Sequence, residues 1–75
     1  MKLAAFLIDC NRSPVKDKTI VRIELYYNDT ERVVVASGHW YQDQILKYVR
    51  RNVLSYTVNL VDDIVHILVD GTLIV

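Results

Sequence analysis

Hydrophobic and polar positions alternate most cleanly between Thr19 and Tyr27. Thr19, Val21, Ile23, Leu25 and Tyr27 fall on one side, and Ile20, Arg22, Glu24 and Tyr26 on the other. That period of two predicts a β-strand with one covered face. Asn28-Asp29-Thr30-Glu31 follows, and Asn and Asp tolerate positive φ and bond their own backbone. A hairpin is therefore expected, with Arg32 to Ser37 as the returning strand. Upstream, Leu3 to Ile8 is apolar at every position, which suits a strand covered on both sides.

The period changes after Ser37-Gly38. From His39 to about Leu54, Tyr41, Ile45, Leu46, Tyr48, Val49 and Val53 gather on one side of a helical wheel, opposite Asp43, Lys47, Arg50 and Arg51. This predicts one amphipathic helix with Ser37 as its N-cap and cations near its C-terminal end. Tyr56 to Val61, Ile64 to Val69 and Thr72 to Val75 then read as strands rich in β-branched residues. Asp62-Asp63 and the hairpin dipeptide Asp70-Gly71 separate them. The expected fold class is α+β: a mainly antiparallel sheet of five to six strands with one amphipathic helix on one face, in the order βββ-α-βββ.

Composition narrows the function classes. The 75 residues form one small domain, since chains divide only at a few hundred residues. A hydrophobic share of 52% excludes a disordered tail. The single Cys excludes an internal disulfide framework. Leu3 to Ile8 is too short for the apolar stretch of a secretion signal, and Asp9 sits where a small residue should precede cleavage at Cys10. No apolar run approaches the length of a membrane span. A cytoplasmic protein is expected.

Reactive chemistry is sparse. Cys10, His39 and His66 share no short spacing of the kind paired zinc ligands show, so no metal or other cofactor is expected. A lone Cys beside an apolar strand is an inert small hydrophobe. Ser13, Ser37 and Ser55 have turn, cap and helix-end positions, and Ser37-Gly38-His39 adjacency does not make a triad. Turn chemistry accounts for Asp62-Asp63. These residues point away from an enzyme.

Charge placement says more than net charge, which is zero. Residues 1–52 hold all nine Lys and Arg with six acids, for a net +3; residues 53–75 hold only Asp62, Asp63 and Asp70, for −3. The basic residues Arg12, Lys16 and Lys18 in the first loop, with Lys47, Arg50 and Arg51 on the helix, would serve a nucleic-acid-binding domain, cations on phosphates and tyrosines on bases. This is the second expectation.

The first is a protein-binding module, expected as a homodimer, and it rests on geometry. A 15-residue helix is roughly 22 Å long and about 10 Å wide, whereas six strands span roughly 30 Å. The second sheet face should then show Ile20 and Tyr26, with Val34 and Ala36 or their neighbours, and Ile64 and Leu68 beyond, interspersed with Arg22, Glu24 and His66. An apolar field seeded with charges and rings is the composition of a protein interface. Trp40, off the helix stripe, is a candidate anchor. In size, neutrality and layout the chain is similar to many small phage and mobile-element proteins that act as inhibitors by binding a larger host protein, which implies the host cytoplasm. No motif carries that similarity.

Overall fold

A computed structural model describes residues 1–8 and 13–71 of the chain. The elements run α1 (Leu3–Ile8), β1 (Ile20–Asn28), β2 (Glu31–Gly38), α2 (Asp43–Leu46), β3 (Val53–Asn59) and β4 (Ile64–Asp70). The four strands form one mixed sheet in the order β2-β1-β4-β3. The α+β class holds, but the βββ-α-βββ order and the five- to six-stranded, mainly antiparallel sheet do not.

The first hairpin is where alternation and turn chemistry placed it; the second is displaced, because β3 begins at Val53, within the expected helix, and ends at Asn59, leaving Leu60 and Val61 of the expected strand Tyr56 to Val61 in the turn. β1 pairs antiparallel with β2, and Asn28 Oδ1 accepts from the Thr30 N–H at 3.0 Å inside the turn. β3 pairs antiparallel with β4 across residues 60–63, where Asp63 takes φ 54°. The hairpins lie side by side with β1 parallel to β4, from Ile20 against Ile64 to Tyr26 against Asp70. Short links suggested antiparallel neighbours throughout. The connection from His39 to Asn52 is instead long enough to carry the chain back along the sheet, as parallel strands require. It delivers β3 to the far edge, and β4 fills the gap beside β1.

The apolar N-terminal run is helix rather than strand. Leu3, Phe6 and Leu7 are buried while Ala5 and Ile8 are exposed, the i, i+3, i+4 spacing of a helical face. A six-residue apolar run has no periodicity of its own that separates helix from strand. Here the partner decides. The Leu3 and Ala4 N–H groups, orphans of the helix start, donate to the carbonyls of Arg51 at 2.9 Å and Val49 at 3.0 Å.

The long amphipathic helix fails for the same reason. Only Asp43–Leu46 is α-helical, and the next turns tighten to i→i−3 bonds from Tyr48 to Ile45, Val49 to Leu46 and Arg51 to Tyr48. The carbonyls of Val49 and Arg51 are taken by α1, and the Val53 N–H donates to the Met1 carbonyl at 2.7 Å. With its acceptors and donors engaged elsewhere, the helix cannot propagate. Ser37 lies in β2, and the cap position is Gln42, whose Oε1 accepts from the His39 N–H at 2.8 Å.

The core lies between the sheet and this layer. Val21, Ile23 and Leu25 of β1, Val65, Ile67 and Val69 of β4, and Ala36 of β2 meet Leu3, Phe6, Leu7, Val15 and Ile45. The expected strand Thr72 to Val75 lies outside the described residues, as do Cys10 and Arg12. β4 is bordered on both sides, by β1 and β3.

Candidate interaction surfaces

Residues directly opposite in neighbouring strands share a face. By that rule Ile20, Arg22, Glu24 and Tyr26 of β1 lie with Ile64, His66, Leu68 and Asp70 of β4 on the side away from the core, joined by Arg32 and Val34 of β2 and by Ser55, Thr57 and Asn59 of β3. Five of the six residues expected to bind a protein partner are thus on one face. Much of their polar capacity is used within it. His66 Nε2 sits 3.3 Å from Glu24 Oε2, the Tyr26 hydroxyl donates to Asp29 Oδ1 at 2.6 Å, and the Arg32 guanidinium lies 5.3 Å from the centre of the Tyr26 ring. Ile20, Ile64 and Leu68 are half-buried between these groups. Four strands span only about 19 Å, so the expected surplus of bare apolar surface is much reduced on this face.

Trp40, the sixth, is elsewhere. It is half-buried against the core cluster on the opposite side of the sheet, and its indole N–H donates to Asp17 Oδ1 at 3.1 Å. It holds the loop before β1 to the loop after β2 instead of projecting as an anchor. Tyr41 carries the exposed ring of that corner, edge-on to Trp40 at 5.7 Å and stacked on His39 at 5.5 Å. His39 Nδ1 is buried and has no hydrogen-bond partner.

The basic residues do not converge. Lys16 and Lys18 are exposed beside the start of β1, where Thr19 Oγ1 accepts from the Lys16 N–H and donates to Asp63 Oδ1 at 2.8 Å. Arg51 is at the other end of the sheet, half-buried, with Nη1 donating to the Asp70 carbonyl at 3.0 Å and its guanidinium against the Tyr48 ring. The seven residues of β4 separate the two places by roughly 20 Å. Lys47 and Arg50 are exposed on the connection between them. Among the described residues no group of three His, Cys, Asp or Glu side chains is placed to share a metal ion, and no helix is long and apolar enough to cross a membrane.

The surface that alternation alone did not reveal is the edge strand β3 with its turn. Tyr56 and Val58 stand opposite the buried Ile67 and Val65, on the core side of the sheet. The covering layer reaches this strand through Phe6, whose ring lies 4.9 Å from that of Tyr56. Tyr56 stays 51% exposed and Val58 37%, and Leu60 and Val61 at the turn are 88% and 94% exposed. No charged residue occurs from Val53 to Val61. Position in the sheet order, rather than composition, makes this run a surface. The hint in the sequence was the long stretch without a charge, which a buried strand would explain equally well.

No family model, curated protein or solved structure matches the chain.

Proposed function

We propose that the protein is a non-enzymatic protein-binding module that engages an extended strand of another chain along β3 and its turn. The observation carrying this reading is the uncharged, exposed edge from Leu54 to Val61, beyond the Lys2–Asn52 bridge and the Val53 N–H bond to Met1 that close the start of the strand. A sheet edge presents unpaired N–H and C=O groups, and folded proteins ordinarily guard such edges with Lys, Pro, bulges or a covering element. The opposite edge, β2, has such guards in Glu31, Arg32 and a bulge opposite Ile23 and Glu24. β3 has an irregularity only at its start, between Val53 and Ser55, and runs in regular register to Asn59. Strand addition would satisfy its backbone, and the row Tyr56, Val58, Leu60 and Val61 would supply apolar contact.

The test uses a photo-reactive side chain at Thr57, on the edge, or at Arg22, on the open face, with the full chain in an extract of the expressing cells. Adducts from position 57 that disappear with Leu60→Lys/Val61→Lys are expected. Adducts arising from position 22 and unaffected by those substitutions would move the binding surface to the open face and overturn the assignment.

A further inference from the structure

We infer that the strand seated on β3 is a second copy of β3, joined antiparallel about a two-fold axis at Tyr56, so that two protomers form one continuous eight-stranded sheet. This rests on the reading of β3 as a binding edge and names its partner. The edge is complementary to itself. Leu54-Ser55-Tyr56-Thr57-Val58 reads the same in side-chain character from either end: apolar, hydroxyl, ring, hydroxyl, apolar. Antiparallel pairing about Tyr56 sets each residue against its like. Leu54 meets Val58 of the other copy, Ser55 meets Thr57, and the two Tyr56 rings face one another.

A two-fold axis brings identical surfaces together, so a charge near it would meet its own sign. This edge has none, whereas β2 paired with itself would bring Glu31 and Arg32 into the interface. Faces match too. The pairing keeps Tyr56 and Val58 on the core side, where Phe6 already contacts Tyr56, and leaves Ser55 and Thr57 with the polar open face, while Leu54 lies at the irregularity between Val53 and Ser55. Cross-strand aromatic and hydroxyl pairs of this kind are among those that stabilise sheets. A 75-residue chain buries only about 60% of its unfolded surface, so it gains much from a neighbour that extends its core layer.

The register makes the inference testable. Ser55→Lys/Thr57→Lys sets two lysines, one from each copy, against each other on both sides of the axis; Ser55→Lys/Thr57→Glu sets opposite charges in the same places. Both positions are exposed, and the second variant controls for the folding cost of two charges on the edge. Light scattering on the full chain at micromolar concentration should give twice the 8.7 kDa chain mass for the wild type and for the Lys/Glu variant, and a twofold lower mass for the Lys/Lys variant. A dimeric Lys/Lys variant, or a monomeric Lys/Glu variant with a native circular dichroism spectrum, would overturn the inference. A wild-type monomer that still forms edge-dependent adducts with another protein would overturn the second copy while sparing the binding edge. A monomer without such adducts would overturn both.

Discussion

The Tyr26 hydroxyl donates to the Asp29 carboxylate across the start of the first hairpin turn, at 2.6 Å. Losing the phenol proton would lose that bond and place two negative groups together. The bond to Asp29 raises the Tyr26 pKa above its ordinary value, with lesser contributions from burial and from the charge of Asp29, while Arg32 pulls it down. Because the folded-state value is raised, the stabilisation is fully present below the ordinary phenol range and is lost as pH rises through the raised value. Following tyrosinate absorbance, the difference between the wild type and Tyr26→Phe should titrate above the ordinary phenol range. Asp29→Asn should bring it down. The turn residues that create this contact were legible in the sequence, since Asn28 and Asp29 have turn chemistry. The contact between Thr19 and Asp63 was not. It joins residues far apart in the chain, and Asp63 at φ 54° is aimed by a parallel pairing that no local pattern records.

At the scale of elements, local pattern succeeded where an element is closed by its own neighbours and failed where distant backbone competes. The β1–β2 hairpin is local, and its boundaries came within a residue of the expected ones. The residues from 39 to 54 have a helical stripe, and Ile45 is buried as that stripe requires. Yet α1 takes the Val49 and Arg51 carbonyls, and β3 claims the chain from Val53. α1 itself supplies a discriminating experiment. Were Leu3 to Ile8 a strand, residues 3, 5 and 7 would share a face, and Ala5 would be as buried as Leu3. In the helix Leu3 is buried and Ala5 exposed. Leu3→Ala should therefore cost about 2–5 kcal/mol in denaturant unfolding. Ala5→Glu should stay within about 0.5 kcal/mol of the wild type. A large loss from Ala5→Glu would restore the strand.

For the molecule as a whole, the decisive feature is the parallel seam between β1 and β4, which turns two separable hairpins into one sheet. The seam forms only once the chain from Gly38 to Asn59 has come round, so its contacts are long-range and slow to assemble. It was illegible because hydrophobic alternation gives a strand's faces and not its neighbours. The open edge was hidden with it, since β3 lies at the border of the sheet only because β4 has the inner place. Ile23 and Ile67 stand opposite each other in the seam, both fully buried. Each Ile→Ala change alone should cost about 2–5 kcal/mol. Where side chains share one contact, the second truncation removes less than the first, and the double variant should fall short of the sum by about 0.5–3 kcal/mol. Ile23 with Leu3 tests the layer above the sheet and need not show the same coupling. Hairpins that folded independently would instead lose their stabilities separately, with Ile23 and Ile67 additive and two unfolding transitions in place of one. Denaturation followed by circular dichroism and by Trp40 fluorescence distinguishes these results, because Trp40 reports the core layer and the far-ultraviolet signal reports the sheet.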